Sequence, residues 1–234
     1  MKKILKKMLV LFIIIAALSA CGGGNASSTA DSGTTNDQTD PTTDPSTTAP
    51  VFTRKPVEVP SSILKLTDDS IYFVIIDGTK FNLVNVTVQD FLNAGFKLAY
   101  QSESADRIIE PQKRAAVGFI LLTKGKNDQT INISVKNTKE TALPLKDCKV
   151  TGLQFGTSTD FDNSNSSGLD IAVVGNLSIA STEEDVLSVF GTNYWALMYN
   201  SELTYEGDSK GFSFKKDASG NVANIELYYG GLYN

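Results

Sequence analysis

The side chains that could do chemistry in this 234-residue chain are 26 carboxylates, eight tyrosines, one tryptophan and two cysteines, and there is no histidine. The missing histidine removes the usual general base near neutral pH, the Ser-His-Asp and Cys-His nucleophile pairs, and the histidine-containing zinc sites. An enzyme built on this chain would have to work with carboxylates, lysine or tyrosine. Two carboxyl groups facing one groove about 5–10 Å apart could cleave a glycoside. Asp68-Asp69, Glu183-Glu184-Asp185, and Glu202 with Glu206 are the acids near enough in sequence to be considered. Adjacent acids at a helix start are, however, what the positive end of the helix dipole selects. Asp160, Asp162 and Asp170, with Ser164 and Asn165, could offer oxygens to Ca²⁺, but the turn glycine and closing bidentate glutamate of a calcium loop are missing. A polar linker is the expectation there. No Gly-rich phosphate loop and no metal-ligand spacing is present, so no cofactor is expected.

Cys148 alternates with Val150 in an apolar, strand-like stretch. With no histidine to activate it, it is expected to be buried and inert. The C-terminal stretch is rich in aromatics: Tyr194, Trp195, Tyr199, Tyr205, Tyr228, Tyr229 and Tyr233. Such side chains anchor protein interfaces and stack on sugars. They are also ordinary strand formers. Strand parity points Trp195, Tyr205 and Tyr229 at the core and leaves Tyr194 and Tyr228 on the opposite side. Those two are the candidate binding residues.

The first 20 residues have a different purpose. Lys2, Lys3, Lys6 and Lys7 make a positive start, and Met8 to Ala17 is an apolar run. That run suits a signal-peptide core and is short of the ~20 residues a spanning helix needs. Leu18-Ser19-Ala20-Cys21 follows directly, and it resembles the lipobox of bacterial lipoproteins. The resemblance implies cleavage between Ala20 and Cys21, and a diacylglyceryl group on the Cys21 thiol. Two acyl chains give stable anchoring where one gives marginal binding. The chain is then expected on the outer face of a bacterial cell membrane. Cys148 would be its only remaining thiol, so no intrachain disulfide is expected. Residues 21–60, built from Gly, Ser, Thr, Asp, Asn and Pro, are expected to form a disordered acidic tether. Its r.m.s. reach would be roughly 35 Å.

The elements that must position the candidate residues fall in residues 61–234. Ile71 to Ile76 and Thr79 to Leu83 flank Asp77-Gly78, a two-residue hairpin signal. Thr87, Asp90 and Gly95 write out the start and stop of a short helix. Strands are expected at Val117 to Thr123, Thr130 to Asn137 and Lys146 to Phe155. Ile131, Ile133 and Val135 alternate as one half-buried face. Residues 157–169 are a polar linker loop, and Ile171 to Gly175 is a short strand. Ser181 to Gly191 is a helix with acids in its first turn. Strands at Trp195 to Glu206, Gly211 to Lys216 and Asn221 to Tyr229 complete the chain.

The two halves rhyme: Asn82-Leu83 leads to Thr87-x-x-Asp90, and Asn176-Leu177 leads to Thr182-x-x-Asp185. An α+β fold follows, of two tandem similar units, 61–156 and 170–234. Each is a short helix plus an antiparallel β-meander. The second unit runs from the Ser181 helix through Leu203-Thr204-Tyr205 and Gly211-Phe212-Ser213-Phe214 to Leu227. It is similar to the β-lactamase-inhibitor-like and SmpA/OmlA-like small domains. That resemblance implies a sheet face that binds a protein partner, and no binding residue carries across. The net charge of −5, with no basic stretch in the mature chain, gives no basis for nucleic-acid binding. The expected function is therefore a membrane-anchored, non-catalytic module for an envelope protein or wall component. The alternatives are a carboxylate-based wall hydrolase and a structural accessory of an envelope complex.

Overall fold

The computed structural model describes residues 54–100, 103–116, 118–125, 129–157, 165–197 and 202–230, all within one unit, Thr47–Asn234. The strands are β1 (Phe73–Ile76), β2 (Thr79–Asn82), β3 (Lys97–Leu98), β4 (Ile108–Ile109), β5 (Ile120–Lys124), β6 (Gln129–Lys136), β7 (Leu143–Pro144) and β8 (Lys149–Gly156), followed by β9 (Ile171–Val173), β10 (Trp195–Leu197), β11 (Glu202–Gly207), β12 (Lys210–Lys216) and β13 (Val222–Tyr229). The α-helices are α1 (Val88–Asn93) and α2 (Glu183–Phe190). The fold is α+β, and among the described residues all strand pairings are antiparallel.

Local chemistry accounts for the elements. Asp77 and Gly78 both take positive φ, 48° and 79°, the geometry that a two-residue hairpin with the right-handed strand twist requires. Both helices start on a capping box. The Asp90 carboxylate accepts from the Thr87 amide at 2.8 Å, and the Asp185 carboxylate from the Thr182 amide at 2.7 Å. Each helix turns its apolar side inward, α1 with Val88 and Phe91, α2 with Val186, Val189 and Phe190.

The two expected meanders form a single eight-stranded sheet, in the order β10-β11-β12-β13-β8-β6-β5-β3. The units meet along β13 and β8, where Ile225 lies opposite Phe155 and Leu227 opposite Leu153. One core cluster runs through both, from Phe81, Phe91 and Ile133 to Phe190, Phe212 and Ile225. The units are therefore not separately packed, because their last strands complete each other. Each half contributes four strands to this sheet where three are expected, since β3 is new and the stretch from Trp195 to Glu206 is two strands, β10 and β11, while β4 and β7 pair separately.

A further difference concerns residues 54–60, which composition assigns to the tether. They are part of the folded unit. The Glu58 amide donates to the Gly175 carbonyl at 2.9 Å, the Pro56 carbonyl accepts from Asn176 at 2.7 Å, and Val57 packs on the core. In the linker, Asn165 and Ser166 are held by Thr130 and Gly156, and residues 158–164 lie outside the described residues.

Candidate functional site

The register separates the two faces of the large sheet. Leu122, Ile131, Ile133, Leu153, Phe155, Leu203, Tyr205, Phe212, Phe214, Ile225 and Leu227 belong to the core. The residues between them face the other way, and they are mostly polar. One row crosses the strands as Thr204, Ser213, Glu226, Gln154, Asn132 and Leu121. A second row runs Glu206, Gly211, Tyr228, Gly152 and Ser134. This polar face is the candidate site.

Its side chains are ordered by one another. The Asn132 amide donates to Gln154 Oε1 at 3.2 Å. The Ser213 hydroxyl donates to Glu202, and so does Thr204, at 3.3 Å. Thr130, Asn132, Ser134, Gln154 and Ser213 are only 5–9 % exposed. Buried polar groups of this kind have to be paired to be tolerated, so these amides and hydroxyls are held in a fixed pattern that has little exposed surface of its own.

Tyr228 belongs to this face, as parity expects, but it is not a protruding anchor: it is 7 % exposed. The reason is Gly211 on the neighbouring strand. A Cβ there would lie 2.7 Å from the Tyr228 hydroxyl and 2.4 Å from the Tyr205 carbonyl, so the phenol lies across β12 only because that position has no side chain. Burial and the neighbouring Glu206 carboxylate push the Tyr228 phenol well above its ordinary pKa. Tyr194 departs from expectation more strongly. It packs half-buried against the core, its ring 6.0 Å from that of Tyr205. It precedes β10 rather than lying within it, so the parity that places it on the far face does not apply.

The other candidates are placed as follows. Tyr205 is core, stacked on Phe190 at 4.9 Å with its hydroxyl on the Gly191 carbonyl. Tyr229 packs on Tyr72 at 5.4 Å with the Lys149 ammonium 4.7 Å from its ring. The Trp195 side chain, Tyr199 and Tyr233 lie outside the described residues. Cys148 is fully buried, its thiol directed at the Pro144 carbonyl and pushed up to about 11 by burial. Cys21 and Ala20 are outside the described residues, as are Asp160 and Asp162. Asp170 pairs with Lys55. Among the described residues there is no group of three acids or thiols placed to hold a metal ion, and no helix is long and apolar enough to cross a membrane.

The acid pairs resolve into structural partnerships. Asp68 accepts from the Ser70 amide at 2.9 Å, and Asp69 pairs with Lys210 at 2.5 Å. Glu183 pairs with Lys216 at 2.6 Å, and Asp185 caps α2 while pairing with Arg54 at 2.5 Å. Glu202 accepts from Ser213 and Thr204, and its backbone lies about 13 Å along β11 from that of Glu206.

The polar row of Asn132, Gln154, Ser213 and Glu226 was not among the candidates read from sequence. Its signal is visible afterwards: Thr130, Asn132 and Ser134 alternate with Ile131 and Ile133. What sequence lacks is the register that lines β6, β8, β13 and β12 up into one row. No protein-family model, no curated protein and no solved structure matches the chain.

Proposed function

We propose that the chain is a lipid-anchored extracytoplasmic binding module that engages an envelope protein, or a wall component, with the polar face of its eight-stranded sheet. The observation that carries this reading is the contrast between the two faces of that sheet: one buries the whole core, the other is an ordered array of polar side chains around Tyr228. Anchoring through Cys21 rests on the lipobox and the charged, apolar start of the chain.

The module is built, in this reading, from two copies of one α+β unit. A shift of 95 residues carries Val86, Thr87 and Asp90 to Ser181, Thr182 and Asp185. A shift of 72 carries Lys149 and Val150 to Asn221 and Val222. The contacts between these residues recur: Thr87 bridges to Lys149 and Thr182 to Asn221, while the Val150 amide donates to Val86 and the Val222 amide to Ser181. The same shift of 72 maps Leu153 and Phe155 onto Ile225 and Leu227, so the seam has a local two-fold between Gln154 and Glu226. This is also the strand-and-helix order that the resemblance to β-lactamase-inhibitor-like domains implies.

The test is crosslinking of the full lipidated protein in cells, with capture and mass spectrometry, against a variant with Thr204→Arg and Leu121→Arg on the far face. Enrichment of one envelope protein that the variant loses supports the reading. Capture that the variant retains places the interface elsewhere. Binding to purified wall glycan, lost in the same variant, assigns a wall ligand.

A further inference from the structure

The folded unit begins with a strap, residues 54–66, whose two ends are held by different forces. The inner end is held by apolar packing and by the chain itself. Leu64 and Leu66 pack on the core, the Leu64 amide donates to Val189 at 3.2 Å, and the Leu66 carbonyl accepts from the buried Tyr72 hydroxyl at 2.9 Å. The outer end is held chiefly by charge. Arg54 pairs with Asp185 at 2.5 Å, its own side chain 53 % exposed, and Lys55 pairs with Asp170. Two hydrogen bonds, from Glu58 to Gly175 and from Asn176 to Pro56, and the half-buried Val57 side chain, which packs on the core, complete it. Between the ends, Val59 and Ile63 are exposed at 63 % and 52 %, so little burial links one end to the other. Pro56 and Pro60 stiffen the outer end, which lowers the entropy lost when it docks.

We propose that residues 54–60 are a salt-sensitive clasp, which opens as a local unit while α2 and the sheet stay folded. Opening lengthens the segment that joins the domain to Cys21 by seven residues, a gain of roughly 23 Å at full extension. That consequence rests on the anchored reading given above, whereas the clasp itself does not.

The physical case is a comparison of strengths. Each pair has one exposed partner, Arg54 and Asp170, through which salt screens it, while apolar packing is not screened, and that packing is Leu64 and Leu66 at the inner end against Val57 alone at the outer. The two ends therefore separate in stability as ionic strength rises. Local opening of this kind is what amide exchange detects.

The experiment is hydrogen exchange on the full chain at 20 mM and 1 M NaCl, resolved at the amides of Glu58, Leu64 and β13. The Glu58 amide should exchange about tenfold faster at high salt, with Leu64 and β13 unchanged. Arg54→Gln should reproduce part of that gain at low salt and reduce the salt dependence, and Arg54→Gln with Lys55→Gln should remove most of it, since the Lys55–Asp170 pair then goes as well. Glu58 exchanging at the rate of β13 in both salts would overturn the clasp, because the strap would then open only with the whole fold. An Arg54→Gln chain that behaves like wild type would overturn it equally. Whether Cys21 carries the anchor is read separately, from membrane fractionation of Cys21→Ser, so failure of one reading does not mimic failure of the other.

Discussion

Replacing Asp185 by alanine should cost about twice what replacing Asp90 costs. Both carboxylates do the same local work, accepting from the N-cap amide at 2.7 and 2.8 Å. Loss of that contact costs about 1 kcal/mol. Asp90 is exposed, and water can replace it. The Asp185 side chain is only 9 % exposed and also holds Arg54. Its removal leaves the Thr182 amide without a partner in a drier place, about 0.5–1 kcal/mol more, and frees a half-exposed arginine, about 0.5 kcal/mol after screening. The expected losses are about 2 kcal/mol for Asp185→Ala and about 1 kcal/mol for Asp90→Ala, or roughly 6 °C against 3 °C in Tm for a domain of this size. Urea melts should show a shifted midpoint at constant slope. The pH dependence has a definite sign. Burial pushes the Asp185 carboxyl up, but the Thr182 amide and the Arg54 guanidinium outweigh it and hold the group below its ordinary value. Its stabilisation is therefore complete above the unfolded carboxyl pKa of about 4 and shrinks as pH falls through the lower folded value. Equal losses for the two variants, or an Asp185 difference that is unchanged at pH 2, would refute this account of the second helix start.

Gly211→Ala should destabilise by about 2–3 kcal/mol in the same melts, since its Cβ would overlap the Tyr205 carbonyl and the Tyr228 hydroxyl. Gly118→Ala, where a Cβ meets nothing within 4 Å, should stay within about 0.5 kcal/mol of wild type. Cys148 should resist iodoacetamide at pH 8 and react fully once urea unfolds the chain, its thiol being buried and pushed up to about 11; rapid labelling of the native protein would contradict that. A Cys21→Ser protein should appear in the medium, and one retained in the membrane fraction would count against the lipid anchor.

Local signals were legible in the sequence because they are local. Asp77-Gly78 can satisfy two positive φ values, and Thr-x-x-Asp can close a capping box without help from the rest of the fold. The alternation of Ile131 and Ile133 with Thr130, Asn132 and Ser134 gave the two faces of β6. What remained hidden depends on pairing between distant strands. Nothing in residues 149–156 states that β8 lies beside β13 rather than ending a sheet of its own. The polar row, and the shelter Gly211 gives Tyr228, follow only from that pairing. Parity failed for Tyr194 because the strand begins one residue later. Composition failed at residues 54–60 because two prolines and three charges conceal a segment held by partners more than 100 residues away.

The seam between β8 and β13 makes a last prediction about the halves. If the second half is expressed alone, as residues 165–234, β13 loses its partner and offers a row of unpaired backbone groups, with Ile225 and Leu227 losing their neighbours. Such an edge seeks another strand. The local two-fold of the seam means that a second copy of β13 fits where β8 was, with Ile225 opposite Leu227 in both directions. One pair changes for the worse. Gln154 faces Glu226 in the intact chain, and in a pair of like halves Glu226 would face Glu226. Like charges directly opposite each other weaken a sheet, and protonation removes that repulsion. The isolated half should therefore dimerise more tightly at pH 4.5 than at pH 7.5, and Glu226→Gln should abolish most of the difference, as read by light scattering across a concentration series. A half that stays monomeric and folded at both pH values would show that the seam is dispensable. The two units would then have to be regarded as independent domains that merely touch.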